Sequence, residues 1–403
     1  LLPKVGIEDV PTHISEPVSS TRSLASAGRV SYYAQGTNGI AYQQVVYALP
    51  ALAPELIESL PLYTSCITEL GVGERSYSQT QAWQAQISGG INCFSSIKSG
   101  QDDVQDVQGI VAFSSKCLAS NYEALSGLLA ETIAAPRFDE TQRIAELVDQ
   151  ITTRKLGSIT GSGHSLAMGA ASSRLSPTAR MSHQYTGLEG LGRLKALRES
   201  LKSDAGRHEL LQRFEQLHTQ ICAAERQFLI VGEPGQEDRF LAPLEQLWGG
   251  SDQPTAAEAF TLPPTREIVC EAWTTSTPVN FCAQAFAPVP AQHPDHATLQ
   301  VLAGYLRNGF LHSAIREKGG AYGGGASQDP GSASFRFYSY RDPRLMETLH
   351  DFGASVDWLL ERTQTSNQLE EAILGVIAAM DKPSSPAGEA KTAFYNALFG
   401  RSL

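Results

Sequence analysis

The sequence predicts an α+β fold of two tandem homologous domains, each a mainly antiparallel sheet with helices packed on one face. Three observations carry that expectation. The order strand, helix, Gly-Gly, strand pair, helix, helix occurs twice along the chain. The two runs stay in register: Gly90 falls on Gly320 at an offset of 230 residues, and residues 111–116 fall on 337–342 at 226. Offsets that agree within a small loop insertion are the trace of one supersecondary unit used twice. Strands also come as hairpin pairs with helices between the pairs, which favours an antiparallel sheet over a doubly wound parallel one.

Taken in order, residues 1–27 are rich in Pro, Ser, Thr and Val without a sustained period and read as an extended linker. Residues 40–49 read as a strand by their Val and Tyr content, and 54–71 as a helix with Pro in its first turn and Gly at its stop. A short helix over 79–88 is broken by Gly89-Gly90. Strands over 91–98 and 109–117 follow, then helices over 121–134 and 139–155, the latter with an acidic first turn that suits the positive end of its dipole. A helix over 209–224 and an apolar strand over 227–232 complete the first run. The second has a strand over 279–286, a long helix over 294–316 ended by Gly319-Gly320, strands over 323–328 and 333–340, and helices over 343–360 and 367–380. The expected division is a linker at 1–27, one domain over 28–225 and another over 226–403. Measured against the first copy, the second lacks its final helix and strand, so the chain is expected to be a piece lacking both its natural start and its natural end.

Composition excludes several classes. With 403 residues, 42% of them apolar and 18% charged, the chain has ample material for packed cores, and whole-chain disorder is excluded. Uncharged stretches such as 157–173, more than half Ser, Gly, Thr and His, are unlike the ~20 mainly apolar residues of a spanning helix. A net charge of −11 argues against a nucleic-acid partner. Six widely scattered cysteines with no C-x-x-C read as buried free thiols of a reducing compartment, taken as the cytoplasm.

Familiar catalytic signatures are absent. None of the nine histidines lies in H-E-x-x-H or H-x-x-E-H. His293 and His296 flank Pro294 with no Glu at ligand spacing, and His164 reads as a packing histidine, so no metal is assigned to this chain. Ser95 and Lys98 spell S-x-x-K on a strand, where positions i and i+3 face opposite ways. No G-x-S-x-G elbow exists, and Gly323-Gly324-Gly325 lacks the Lys of a phosphate loop.

One segment carries chemistry: Arg316-Glu317-Lys318-Gly319-Gly320-Ala321-Tyr322-Gly323-Gly324-Gly325. A helix ends in a permanent cation, two glycines permit a tight reversal, and a phenol opens the next strand. Together Arg316 and Tyr322 could grip a carbonyl and steady the charge that develops on it during hydrolysis. In the first copy Gln86 and Asn92 occupy the corresponding places, so the bend is retained there without the cation and the phenol. The alternative is a solvated arginine at a helix C-terminus and a packing tyrosine.

This segment, with Leu311-His312-Ser313-Ala314-Ile315 before it and Tyr338-Ser339-Tyr340-Arg341-Asp342-Pro343 after it, resembles the fourth domain of the presequence-protease branch of the pitrilysin/insulinase (M16) zinc metallopeptidases. Leu60-Pro61-Leu62-Tyr63, Gly89-Gly90-Ile91 and Ala171-Ser172-Ser173-Arg174-Leu175-Ser176-Pro177 resemble that branch's third domain. The resemblance implies the C-terminal half of a clamshell peptidase. Zn2+, its H-x-x-E-H ligands and the catalytic Glu would lie in an N-terminal half, the partner of this one, and the two would enclose unfolded peptides. It implies that Arg316 and Tyr322 reach the substrate carbonyl beside the zinc, with Gly319, Gly320, Gly323 and Gly324 lining the substrate path. This chain alone should bind no catalytic metal and hydrolyse nothing. A metal-free partner subunit or scaffold of the same superfamily remains the alternative.

Overall fold

The structure is a computed structural model and describes residues 5–12, 16–24, 28–248, 258–287, 289–361 and 366–401. Two sheets, of six and three strands, organise it. The first contains β1 (Ser19–Leu24), β2 (Gly28–Ala34), β3 (Ile40–Ala48), β4 (Ile91–Ser99), β5 (Val107–Leu118) and β6 (Arg226–Gly232), in the order β1-β2-β6-β3-β5-β4. Only β2 and β6 run parallel. The second contains β7 (Ala283–Phe286), β8 (Gly323–Asp329) and β9 (Ser334–Tyr340) in the order β7-β9-β8, all antiparallel. That order repeats β3-β5-β4, so the internal repeat is one of topology. Gly90 and Gly320, superposed by the alignment, both hold left-handed backbone, at φ +95° and +79°, ahead of β4 and β8.

Around the first sheet stand α1 (Pro54–Cys66), α2 (Tyr77–Ile87), α3 (Tyr122–Ala134), α4 (Thr141–Gly157), α5 (Gly163–Ser172), α6 (Pro177–Tyr185), α7 (Leu188–Ser200), α8 (Asp204–Cys222) and α9 (Glu237–Trp248). Later in the chain come α10 (His296–Leu306), a π-helical stretch (Arg307–Lys318), α11 (Met346–Glu361), α12 (Ser366–Met380) and α13 (Pro386–Leu398). Serines start several of them: Ser176, Ser203 and Ser385 accept from the amides of Ala179, Gly206 and Gly388.

Strand β6 explains how the layers meet. Phe228, Leu229, Ile230 and Val231 are all buried, although alternate residues of a strand face opposite ways, so both faces of the sheet must be covered. Phe228 and Ile230 join the main core with Val45, Tyr47, Val111, Phe113 and the helices α1, α3 and α8. Leu229 and Val231 face a second cluster in which Ala387, Ala390, Ala393 and Phe394 of α13 pack on Tyr33, Val46, Ile110 and Ala112. The small sheet is covered in the same way. Its core side takes Leu306, Leu311, Ile315 and Phe352, while α5 covers the other face. There Gly163 abuts Phe281 so closely that a Cβ would come within 2.5 Å of the ring, and His164 packs on Tyr340 with ring centroids 4.7 Å apart.

Residues 258–280 cross between the sheets without regular structure but with specific anchors. The Gln105 side-chain amide accepts from the Thr265 N–H (2.7 Å) and donates to the Thr265 carbonyl (3.1 Å), standing in for a strand partner. Arg174 pairs with Glu267 at 3.2 Å, and buried His183 lies 3.8 Å from Glu271.

The α+β class and the mainly antiparallel sheets are as expected, and the structure corrects four details. Residues 19–24 of the supposed linker form the edge strand β1, paired along its length with β2. The expected boundary between 225 and 226 cuts off β6, which lies between β2 and β3 at the centre of the first sheet. Each sheet is covered on both faces, because α13 and α5 cross to the opposite part of the chain. The long helix expected over 294–316 is α10 followed by a π-helical stretch. All six cysteines are free; Cys66, Cys93, Cys117 and Cys282 are buried, but Cys270 is exposed.

The cores can be tested directly. Phe394→Ala empties the α13 contact and should lower unfolding free energy by about 3 kcal/mol, read by urea titration. His218, packed against Phe138 and hydrogen-bonded to Tyr63 at 2.9 Å, has its pKa lowered to about 4 by burial. Its unfolded value is near 6.5, so the unfolded chain takes the proton first. Its contribution to stability is complete above pH 6.5 and is lost as pH falls from there toward 4, at up to ~1.4 kcal/mol per pH unit. Urea titrations across pH 4–7 should show that slope, and His218→Phe should flatten it.

Candidate functional site

The π-helical stretch buries Leu311 and Ile315 and leaves Arg316 exposed. Such widened helical geometry is rare and recurs at functional sites. Two backbone bonds close its end: Gly320 N–H donates to the Arg316 carbonyl (3.0 Å) and Ala321 N–H to that of Ile315 (3.1 Å). The left-handed conformation of Gly320 makes this closure possible with little strain.

The other glycines have separable reasons. At Gly319 a Cβ would collide with the Arg344 guanidinium, which is held by Asp351 at 2.9 Å and by the Ala314 carbonyl at 3.3 Å. At Gly324 it would come within 2.7 Å of Ile315, and at Gly325 within 2.7 Å of Arg307. Gly323 is different: a Cβ there meets nothing within 4 Å, so the fold places no demand on it.

Tyr322 stands 67% exposed at the head of β8, an edge strand of its sheet. Its N–H donates to the Tyr340 carbonyl at 3.0 Å, and its ring meets that of Tyr340 edge-on, with centroids 5.4 Å apart and planes at 88°. Tyr340 is itself wedged between His164 of α5 and Phe281, at 4.7 and 5.9 Å. Three distant segments thus converge under one exposed phenol. Arg316 and Tyr322 flank the same bend. Among the described residues, no hydrogen bond joins the two side chains and Arg316 has no ion-pair partner. Both therefore have donors free for an external group. The corresponding Gln86 and Asn92 of the first sheet are exposed too, so the same scaffold position carries neutral amides in one copy and a cation with a phenol in the other.

Among the described residues, no three His, Cys, Asp or Glu side chains are grouped so as to hold a metal ion. His293 lies 3.7 Å from Asp295, and His296 Nε2 lies 3.2 Å from the Gln300 amide, so the pair serves the start of α10. Sequence reasoning missed Tyr340 and His164 as supports of the site. The run 337–342 that fixed the repeat register was the available signal for Tyr340; nothing in the sequence brings α5 beneath it. Among the described residues, no helix is long and apolar enough to cross a membrane.

Comparisons with known proteins identify the family. Residues 1–197 match a family described as associated with subfamily C of the M16 peptidases, and residues 271–402 match the "PreP C-terminal domain". The mitochondrial presequence protease of Xenopus laevis is 30% identical over 427 residues, covering 98% of this chain and 41% of that protein. That of Mus musculus is 30% identical over 402 residues, covering 93% and 38%. The chain thus spans about two-fifths of the length of these relatives. Among solved structures, a peptidase M16 inactive domain from Pseudomonas fluorescens superposes with a TM-score of 0.65 at 16% identity, covering 96% of this chain and 88% of that one. The periplasmic protease PqqL from Escherichia coli gives 0.59 at 18%, covering 99% and 43%.

The glycines can be separated experimentally. Gly324→Ala should destabilise by about 1–3 kcal/mol through overpacking on Ile315. Gly323→Ala should stay within ~0.5 kcal/mol of the parent in the same thermal melts.

Proposed function

Since the chain belongs to the pitrilysin/insulinase (M16) peptidase family and matches the C-terminal half of its presequence-protease-like members, we propose that it forms the substrate-enclosing wall of a zinc endopeptidase for short unstructured peptides. In this reading the two sheets mark the third and fourth domains of the whole protein, with the division after α9 rather than at 225/226. The catalytic half, with its zinc ligands, is the partner. The observation that carries the proposal is the pair of exposed donors, Arg316 and Tyr322, on a bend whose duplicate presents Gln86 and Asn92.

The chemistry follows from what these side chains are. A carbonyl under attack gains negative charge on oxygen as it becomes tetrahedral, and donors that bind that oxygen more tightly than the starting carbonyl lower the barrier. Arg316 supplies a fixed positive charge and a fork of N–H donors; Tyr322 supplies one O–H. In water such donors are already hydrated and contribute little. When a second wall excludes solvent, their charge-assisted hydrogen bonds strengthen. Zinc bound by the other half would polarise the same carbonyl. Gly323, which the fold does not need as glycine, leaves clearance for a peptide backbone beside Tyr322. Gly319, Gly320 and Gly324 shape the bend.

A metal-free partner subunit would use the same architecture, and a structural neighbour is itself described as an inactive domain. Pairing this chain with an H-x-x-E-H half separates the two readings. As for compartment, six free thiols suit any reducing one, while the relatives are named as mitochondrial, so the cytoplasm has no support beyond that thiol chemistry.

In the complete peptidase, Arg316→Ala and Tyr322→Phe should each lower kcat by a factor of ~100–1000 with zinc content unchanged, measured by peptide cleavage and metal analysis. Unaltered cleavage in both variants would falsify the role.

A further inference from the structure

Beside Tyr322 lies a cation that the mechanism above does not use. Arg341 has φ +49°, a left-handed conformation that is strained for an L-residue other than glycine. The chain holds it there from both sides. Before it, Tyr340 is wedged between His164 and Phe281. After it, fully buried Asp342 exchanges backbone bonds with Asn280 (2.7 and 2.9 Å) and accepts from the Thr348 hydroxyl at 2.7 Å and the Arg344 N–H at 2.9 Å. Between two such fixed neighbours the Arg341 side chain is forced outward.

Its surroundings show what it offers. The guanidinium lies over the Tyr340 ring, 5.3 Å from the centroid, and Tyr322 meets the same ring edge-on. The Tyr322 N–H also approaches the Arg341 carbonyl at 3.4 Å. Arg341 is exposed and, among the described residues, makes no ion pair. Arg344, three residues on, shows what a structural arginine looks like here: it is tied to Asp351 and to the Ala314 carbonyl. Lys318 is likewise exposed and without an ion pair among the described residues, while Glu317, the nearby acid in the sequence, lies 3.6 Å from His312. In a chain of net charge −11, an exposed cation beside Tyr322 with no ion pair among the described residues runs against the overall balance.

We propose that Arg341 is a substrate-binding residue that pairs with a carboxylate of the bound peptide, with Tyr340 holding it and Tyr322 in fixed relation. The guanidinium fork matches a carboxylate in two-point geometry, and a peptide carries such a group at its C-terminus or on Asp and Glu. The proposal deepens the peptidase reading and rests on it: Tyr322 meets the reacting carbonyl, and Arg341 selects what lies alongside.

The test uses the complete protein, stripped of metal so that binding is read without turnover, and fluorescent peptides in matched sets. Each set has one free acid, one C-terminal amide, and one peptide with Asp and Glu replaced by Asn and Gln. The parent protein should bind the acid about tenfold or more tightly than one of the amide forms, and whichever amide is weak identifies the carboxylate. Arg341→Gly removes the cation while relieving the backbone; it should melt no lower than the parent and lose that discrimination. Arg341→Lys should keep part of it. Equal binding of all three peptides by the parent, or discrimination surviving in Arg341→Gly, overturns the proposal. Since the Arg316 and Tyr322 variants are judged on kcat, their failure and this one remain distinct.

Discussion

Both sheets need cover on two faces, and neither obtains it from its own neighbourhood in sequence. Strand β6 buries four consecutive apolar side chains, so the first sheet has to find an outer layer, and α13, far along the chain, supplies it through Ala390 and Phe394. The small sheet has the reciprocal need and takes α5. Burial of this kind is worth about 25 cal/mol per Å2 of apolar surface, so each exchanged helix ties the fold of one sheet to that of the other. The strap over 258–280 adds polar ties through Gln105, Arg174 and His183.

The candidate site inherits its geometry from that exchange. Tyr322 stands on Tyr340, and Tyr340 stands on His164, which α5 carries across from the first part of the chain. A phenol on a single sheet-edge strand would otherwise sample many orientations. Here it has a ring beneath it that is fixed from two sides, and the bend that places Arg316 is closed by two backbone bonds and a left-handed glycine. Preorganisation of this sort matters because donors that must reorient during reaction give back much of what they contribute.

Much of this was legible in the sequence, for local reasons. Gly-Gly after a helix, strand pairs with a two-residue period, and the recurrence of both at a constant offset are signals that neighbouring residues determine. The recurrence of strand, helix, Gly-Gly and strand pair in the second copy followed from them. What could not be read depended on residues far apart. That residues 226–232 insert between β2 and β3 is a matter of topology, not propensity; a linker with no period became β1 because an open edge of β2 was available to pair. The π-helical stretch is indistinguishable by composition from a continuation of α10. In the site, the cation, the phenol and the bend were visible, whereas His164 beneath Tyr340 required knowing where α5 goes.

The duplicate supplies a comparison that weighs function against structure within one molecule. Both copies keep the left-handed glycine before the edge strand, because the chain must reverse there in either sheet. If Arg316 and Tyr322 served only that reversal, Gln86 and Asn92 show that uncharged, smaller groups suffice. Arg316 is exposed and has no ion partner among the described residues, and Tyr322, 67% exposed, packs edge-on against Tyr340. This favours the proposed role, in which the charged donor and the phenol meet a group from outside this chain once a second surface drives water away. The architecture thus points outward: two sheets locked together by exchanged helices hold one decorated bend toward solvent, where the proposed second half would complete the site.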